Sequence, residues 1–445
     1  YDKAMEQFIL QLAYEPKKSG VIRQRILIMS DEDDAINIIE STLQKASKEQ
    51  PIIFLDLLSD FNFKQQKYEN AFQTKFKISN LGNPNFNEWL TFANELRKEA
   101  QYDLSIQSYN YILGEKINSK LAGKALLGMA KTFEDQIIPA NESHLIPYFF
   151  DNNLFFEDPF QVNSSISPKH LESSIALYDS LLISLPKSSL LADAYFRLGE
   201  IQFRILHDFD KAYSLLAKAM KNKPDKKLKL KLILRITDVL MAKGQSDQAL
   251  QFLDREMKRY SIPAIEQKKI LVHFLSDDPD STLKKVQSTF LTMNPIDPSF
   301  NDLMELKNIL TQYYENEPNS KEAFSHFIKA EWYLRQRKIG DAIRELDFLV
   351  QLDSSSTIVP LANLRQGLLH YQLKDFDKAL SLALSLDGSP LADRGIILAG
   401  QIYESKLLDP EKALEQYMRI LDEFPTSIFS EPIRYHIRSL QNTES

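Results

Sequence analysis

Cysteine is absent from the 445-residue sequence and glycine is scarce, with 12 residues, whereas average glycine usage is about 7%. Without cysteine there can be no disulfide bond and no cysteine-ligated metal site. So few glycines leave little room for the many tight turns of a β-sandwich or for glycine-rich phosphate-binding loops. These two shortages exclude several classes of fold and ligand site.

A large excess of one charge and long apolar runs are missing as well. Lys and Arg number 54 and Asp and Glu number 61, which gives a formal net charge of −7 and no support for nucleic-acid binding. No run of about 18 apolar residues occurs, so the sequence predicts no transmembrane segment. The sequence therefore predicts neither a nucleic-acid partner nor a membrane span.

Motifs of the common catalytic and cofactor sites are also missing. The seven histidines include no HExxH or HxxxH pair, and the chain contains no GxxxxGK[ST] loop, GxGxxG fingerprint or GxSxG elbow. We therefore predict no catalytic residues, no cofactor-binding residues and no metal ligands. The chain is predicted not to be an enzyme.

A pattern of aromatic, small and proline residues recurs along the chain. In a full copy, Phe209 precedes Ala212 by three positions, Leu216 follows four later, and Pro224 lies twelve after the alanine. Small residues let two helices approach closely, and proline ends a helix. The small residues of all copies lie at positions 4, 35, 71, 105, 174, 212, 249, 342, 379 and 413.

A second helical segment precedes several of these copies and has its own small residue. Gly128, Gly199, Gly367 and Gly400 occupy one slot in this segment, among apolar residues at helical spacing. A helix, a short polar turn and a second helix form a helical hairpin. The pattern therefore predicts an all-α fold, an α-α superhelix of about eleven hairpins.

This pattern resembles the tetratricopeptide repeat (TPR), most strongly in 190–225 and 360–426. The tryptophan that the family has early in the first helix is absent, since Trp89 and Trp332 do not match its position. The resemblance implies a TPR-like solenoid that acts as a non-catalytic scaffold for protein-protein interactions. It also implies that partners bind along the concave face formed by the first helices of the hairpins.

The spacing of the repeats divides the chain into five parts. We expect an N-terminal array over 1–135, an insertion within one hairpin over 136–168, a second array over 169–261, degenerate repeats over 262–320 and a C-terminal array over 321–445. Tyr1 falls just before the second helix of a hairpin, so the first helix is missing. We therefore expect the natural protein to continue upstream, where a lipid anchor is possible.

The insertion is rich in aromatic residues. Two interpretations stay open: a loop that packs over neighbouring hairpins and buries its aromatics, or a lid or docking arm, because long loops are often functional and aromatics dominate binding hot spots. Its aromatic residues are Tyr148, Phe149, Phe150, Phe155, Phe156 and Phe160.

Aromatic and arginine residues on the first helices are the candidate partner-binding residues. Enrichment in these residue types is typical of an interface core, although several of them are expected to pack between repeats instead. The residues that the resemblance places on the concave face are Phe196, Phe203, Arg204, Phe324, Phe327, Arg335, Tyr371 and Arg394.

The C-terminal blocks are similar to repeats of bacterial cell-envelope proteins, the outer-membrane assembly lipoproteins and the tol-pal-associated periplasmic protein. The block that begins at Tyr417, YMRILDEFPTSIFSEPIRYHI, carries this likeness. A chain without cysteine is compatible with an oxidising compartment. We therefore predict a scaffold in the periplasm or at the outer membrane. The alternative is a cytoplasmic TPR adaptor or regulator, part of a larger protein whose upstream region carries the activity.

Overall fold

Helices make up all the regular secondary structure of the residues that the structure describes. The structure is a computed structural model, and it describes residues 1–14, 19–82, 84–137, 153–158, 160, 166–260, 262–317 and 321–443. Within these ranges the chain forms 23 α-helices and no strand. The predicted all-α fold is confirmed.

The helices follow one another through short connections. A π-helical turn, Thr311–Glu315, continues α16. In chain order the helices are α1 (Asp2–Tyr14), α2 (Ser19–Met29), α3 (Asp33–Ala46), α4 (Pro51–Lys64), α5 (Tyr68–Ser79), α6 (Phe86–Lys98), α7 (Tyr102–Leu113), α8 (Ser119–Asp135), α9 (Pro168–Ser184), α10 (Ser189–Arg204), α11 (Phe209–Lys221), α12 (Lys226–Ala242), α13 (Ser246–Met257), α14 (Pro263–Leu275), α15 (Pro279–Phe290), α16 (Phe300–Leu310), α17 (Lys321–Arg335), α18 (Ile339–Leu352), α19 (Val359–Gln372), α20 (Phe376–Leu384), α21 (Ala392–Ser405), α22 (Pro410–Glu423) and α23 (Ser430–Thr443).

Consecutive helices pack as hairpins, each with a first helix (the A helix) and a second (the B helix). Eight of the ten small residues of the sequence pattern lie on B helices, and the other two, Ala4 and Ala35, lie on α1 and α3. Ser105 and Ser174 in this slot donate hydrogen bonds to the carbonyls of Ala93 and Ala130 on the paired A helices, at 2.9 and 3.1 Å. The expectation for Ala4 is wrong: Ala4 is exposed and its neighbour Met5 is buried. The hairpins are α4–α5, α6–α7, α8–α9, α10–α11, α12–α13, α14–α15, α17–α18, α19–α20 and α21–α22.

Close helix contact explains the glycine slot of the A helices. A Cβ atom at Gly400 would lie 2.5 Å from Cε1 of Tyr417 on the paired B helix. A Cβ at Gly128 would overlap the ring of Tyr109, which belongs to the preceding helix α7. At Gly199 the nearest atom would be a methyl carbon of Leu216, 2.9 Å away. These three glycines therefore lie where a side chain would hold two helices apart.

The turns inside the hairpins use a left-handed backbone conformation. Eight of the nine hairpins have one residue with φ between 53° and 74° in this turn, and only one of the eight residues is glycine. An L-residue pays roughly 1–2 kcal/mol for this conformation, so the contacts of the helices must impose it. The ninth hairpin, α8–α9, contains the insertion. The turn residues are Gln66, Ala100, His207, Gly244, Asp277, Arg337, Lys374 and Leu408.

The helices group into two compact units. The first unit comprises α1 to α9, and its buried side chains form separate clusters, one centred on Ile39 and Phe54 and another on Trp89 and Tyr109. The second unit comprises α10 to α23 together with residues 153–158 and 160 of the insertion. One continuous core runs through most of it, from Phe196 on α10 to Ile402 on α21.

An extra helix interrupts the alternation of A and B helices in the second unit. The A helix α14 packs directly against the next A helix α17, although α15 and α16 lie between them in sequence. Helix α16 lies in the stretch 262–320, which we expected to hold irregular repeats. Its acidic residues Asp302 and Glu305 contact the insertion.

Candidate functional site

Part of the insertion is buried inside the second unit. We call residues 153–158 and 160 the inner segment. Phe155, Phe156 and Phe160 are 0%, 1% and 5% exposed and belong to the core of this unit. The helices that flank the insertion in sequence, α8 and α9, belong to the first unit. The inner segment is therefore part of a core to which neither flanking helix belongs.

The rings of the inner segment contact aromatic residues of the A helices. Phe156 lies 5.9 Å from Phe274 on α14 and 6.4 Å from Phe327 on α17, measured between ring centroids. Phe160 lies 5.0 Å from Phe203 on α10. Aromatic pairs at such distances add roughly 0.5–1.5 kcal/mol each beyond their buried area. Aromatic residues of three A helices, α10, α14 and α17, thus contact the segment.

Two buried arginines satisfy carbonyl groups of the inner segment. The amides of Phe156 and Glu157 donate to the carbonyl of Asn153, which closes a single tight turn. A single turn leaves its later carbonyls without backbone partners. Arg335 Nη2 donates to the Phe155 carbonyl at 2.9 Å, and Arg365 Nη2 donates to the Phe156 carbonyl at 3.1 Å.

An ion pair holds the second of these arginines in place. Arg365 Nε and Nη2 donate to the two carboxylate oxygens of Glu331 at 2.7 and 2.8 Å. Glu331 is 1% exposed and Arg365 is 8% exposed. A bidentate pair fixes the direction of the guanidinium group. With the guanidinium group fixed in this way, the second N–H of Arg365 Nη2 points at the Phe156 carbonyl of the segment.

Charged side chains continue along the neighbouring A helices. Arg235 on α12 donates to both carboxylate oxygens of Glu200 on α10, at 2.6 and 3.1 Å. Arg235 also contacts Asp238 at 3.2 Å, and Asp238 forms an ion pair with the buried Lys268 on α14. Buried charges are costly unless they are paired. In this network each cation is paired with a carboxylate, on the face that holds the segment.

The acidic residues of the inner segment face these cations. Burial raises the pKa of Asp158 above its ordinary range, although Arg335, Arg365 and Arg337 act in the opposite direction. Burial also raises the pKa of Glu157, and Arg335 again opposes the shift. A small cavity of about 20 Å³ lies between these residues and α17 and α19. The Glu157 and Asp158 side chains nevertheless remain exposed to solvent, and the charge of the face is complementary to that of the acidic segment.

The structure brings some of the predicted partner-binding residues together around the inner segment. Phe203, Phe327 and Arg335 contact it directly, as described above. Phe196 and Phe324 are buried in the same core, and Arg204 is partly exposed. Whether any of them binds a partner stays a prediction.

The two remaining predicted residues, Tyr371 and Arg394, also lie on the second unit, and the charge of Arg394 acts on Glu305 beside the inner segment. Tyr371 contacts the Lys406 ammonium group, 5.6 Å from its ring centroid. Arg394 pairs with Asp393 at 3.3 Å. Of the predicted insertion residues, Phe155 and Phe156 are in the inner segment, whereas Tyr148, Phe149 and Phe150 lie outside the described residues.

Sequence reasoning missed the charged half of this site. Glu331, Arg365, Lys268 and Asp238 were not among the candidates, because charged residues on helices are normally solvated. One signal was available: Phe327, Glu331 and Arg335 follow one another at intervals of four, which places them on one face of α17.

The helices of the first unit also form a cleft. It has a volume of about 780 Å³ and is lined mainly by α2, α4 and α6. Phe63 and Phe92 face it with ring centroids 5.8 Å apart, and the Lys75 ammonium group lies 5.6 Å from the Phe92 ring. Asn87 and Thr91 at its rim are exposed. The lining of the cleft thus combines aromatic rings with three cations and four carboxylates, and Arg23 and Lys75 form ion pairs with Asp56.

Stability of the inner-segment site is expected to depend on pH through Glu305. Burial raises the pKa of this carboxyl from 4.5 to about 7, whereas the hydrogen bond from Asn153 and the charge of Arg394 lower it, and Asp302 raises it. Because folding raises this pKa, the stability that protonated Glu305 contributes is fully present below pH 4.5 and is lost as the pH rises through 7.

The variant Glu305→Gln keeps an acceptor for Asn153 but does not ionise. We expect it to gain roughly 1 kcal/mol over the wild type between pH 5 and pH 8, less than the full shift implies because solvent partly screens the group. Urea unfolding at the two pH values measures this difference. The exposed neighbour Glu315→Gln is the control, and an equal gain in both variants would contradict the assignment to Glu305.

Among the residues that the structure describes, no group of three His, Cys, Asp or Glu side chains is arranged to hold a metal ion. None of the described helices combines the length and apolar character needed to cross a bilayer.

Comparison with known proteins gives structural similarity only. No family model and no curated protein matches the sequence. A structure of Naa15/Naa10 bound to HypK-THB is similar at 12% identity and a TM-score of 0.33, over 98% of this chain and 76% of that chain. The TPR domain of P58(IPK) is similar at 14% identity and a TM-score of 0.21, over 91% and 98%.

Yeast Tom70 is similar at 12% identity and a TM-score of 0.27, over 97% of both chains. At these scores no ligand or partner is transferred from the similar structures to this chain. The chain is characterised by its own fold, an all-α array of helical hairpins.

Proposed function

We propose that this protein is a non-catalytic scaffold that holds a protein partner on the A helices of its hairpins. The observation that carries the proposal is the inner segment. This short piece of chain, which belongs to no helix of a hairpin, is bound by aromatic contacts with three A helices and by arginines that donate to its carbonyls. These are the contacts that a peptide ligand would make.

The cleft of the first unit is the surface that we assign to a partner. It offers the rings of Phe63 and Phe92 and a mixture of cations and carboxylates, beside the exposed Asn87 and Thr91. Aromatic side chains that are already held in place lose little entropy on binding. The repeat architecture supports such a role, because each repeat contacts only its neighbours and one repeat can carry a site without disturbing the rest.

A photo-crosslinking amino acid at Thr91 tests this proposal in the native cell. We expect one protein to be crosslinked at Thr91 and not at Gln107, an exposed residue of α7 that does not line the cleft. The crosslinked protein, once purified, should bind the wild type and lose at least about tenfold in affinity with Thr91→Arg, because the long side chain fills the cleft. Gln107→Arg is the matched control. Equal crosslinking at both positions, or unchanged affinity in Thr91→Arg, would overturn the assignment.

We also propose that the scaffold works in the bacterial cell envelope. The absence of cysteine supports this compartment, where a stray thiol is a liability, together with the likeness of the C-terminal repeats noted above. Fractionation of cells that express the natural gene should recover the protein with the periplasm or the outer membrane. Recovery in the cytosol would favour the alternative, a cytoplasmic adaptor or regulator within a larger protein.

A further inference from the structure

The inner segment has the position of a ligand rather than that of a repeat. It forms no helix of any hairpin, and its seven described residues are inserted between two helices of the other unit. The hairpins of the second unit are paired through contacts between their own helices. The segment is therefore additional to these pairings.

The charges around Glu157 and Asp158 favour an acidic occupant. Beside these two residues the A helices and one turn supply five cations and three carboxylates, an excess of two positive charges that Glu157 and Asp158 balance. The cations are Arg235, Lys268, Arg335, Arg337 and Arg365, and the carboxylates are Glu200, Asp238 and Glu331. An apolar occupant would leave this excess uncompensated, which is costly in a buried site.

The aromatic contacts specify the rest of the occupant. Phe156 fills the space between Phe274 and Phe327, and Phe160 lies against Phe203. The Arg337 guanidinium group lies 5.8 Å from the Phe160 ring. The site thus accepts adjacent aromatic residues, then two acidic residues, then another aromatic residue, and the arginines that bind main-chain carbonyls accept any sequence that forms the same turn.

We propose that the inner segment is an intramolecular ligand of the site formed by the A helices α10, α12, α14, α17 and α19. A protein partner with a short acidic-aromatic sequence displaces it from this site. The inference rests on the proposed scaffold function but concerns a different surface from the cleft of the first unit. The side chains of Glu157 and Asp158 remain exposed to solvent while the segment is bound, so this end of the segment is open to a competing partner. The small cavity beside Phe156 and Asp158 shows that the packing is incomplete on this side.

A peptide added in trans tests the proposal. The probe is a fluorescein-labelled peptide of residues 152–161, NNLFFEDPFQ, and the readout is fluorescence anisotropy with the full chain. In the wild type the covalently linked segment competes at an effective concentration on the order of millimolar. In Phe155→Ala/Phe156→Ala that competitor is weakened, so we expect the probe to bind at least about tenfold more tightly than to the wild type.

Three controls define the site. A probe with alanine at both phenylalanine positions should not bind, and Arg335→Met added to the double variant should reduce binding at least about tenfold. Phe348→Ala, which removes an exposed ring elsewhere in the same unit, should leave the probe's affinity at the wild-type value. No binding of the probe to a folded double variant overturns the proposal. A dimer of the wild type that the probe dissociates also overturns it, since the occupant would then be a second copy.

Hydrogen exchange of the wild type keeps the proposal testable if the double variant fails to fold. The amides of Phe156 and Glu157, which donate to the Asn153 carbonyl, should exchange at least about tenfold faster than the core amides of α17. Exchange of both sets at the same rate would show that the segment is a permanent part of the core. Neither result depends on crosslinking at Thr91, so this proposal and the scaffold proposal can fail separately.

Discussion

Replacement of Arg365 by methionine is expected to lower the free energy of unfolding by about 3–5 kcal/mol, because the variant leaves Glu331 buried without the cation that donates hydrogen bonds to it. Glu331 is 1% exposed and receives two hydrogen bonds from Arg365. The substitution also removes the donor to the Phe156 carbonyl. Urea unfolding followed by circular dichroism measures the loss.

Arg419→Met is the matched control for this prediction. Arg419 forms a similar two-point pair with Glu423, but at the surface, where the Glu423 side chain is 45% exposed. Exposed pairs contribute about 0–1 kcal/mol. Addition of Glu331→Leu to Arg365→Met should recover part of the loss, since no uncompensated charge is then buried. Equal effects of Arg365→Met and Arg419→Met would contradict the role of burial.

Replacement of Gly395 by alanine is expected to lower the free energy of unfolding by about 1–3 kcal/mol through overpacking. The new Cβ would lie 2.5 Å from the backbone carbonyl oxygen of Ala383 and 2.8 Å from Cβ of Leu386. Neither atom is the end of a flexible side chain, so α20 and α21 must move apart. Urea unfolding combined with hydrogen exchange in α21 measures the effect locally, which matters because repeat proteins need not unfold in one step.

Gly340→Ala is the control for Gly395→Ala. Gly340 is also helical, and a Cβ there would meet no atom within 4 Å. Alanine has a helix propensity up to about 1 kcal/mol better than that of glycine, so the control should be neutral or slightly stabilised. A stabilised Gly395→Ala variant would show that α20 and α21 are not in close contact.

The packing of the helices could be predicted from the sequence to a large extent. The small-residue slot identified Ala71 and Ala212 as contact points, and both are fully buried. Helical periodicity is a local property, so spacing alone reveals which residues share a face. Ala4 shows the limit of this reasoning, because a matching spacing near the start of the chain did not lead to burial.

The chemistry of the inner-segment site could be predicted only in part. Phe203, Phe327 and Arg335 were candidates because their residue types are common in interfaces. Their contacts with the chain's own insertion depend on a fold that brings residue 156 beside residue 327, and local patterns carry no information about such distant pairs. The buried pair of Arg365 and Glu331 was missed for the same reason: each partner alone is indistinguishable from a solvated charge on a helix.

The left-handed turns bear on the order in which the hairpins fold. A residue such as Ala100 or Leu408, with φ of 55° and 53°, has no intrinsic preference for the turn that it forms. Such a turn does not nucleate the reversal of the chain, in contrast to a glycine-containing turn whose geometry is favourable by itself. The two helices must first meet through their apolar faces, and the turn is then forced into its conformation. We therefore expect the seven hairpins whose left-handed turn residue is not glycine to form by helix docking, with the turn as the last element to form.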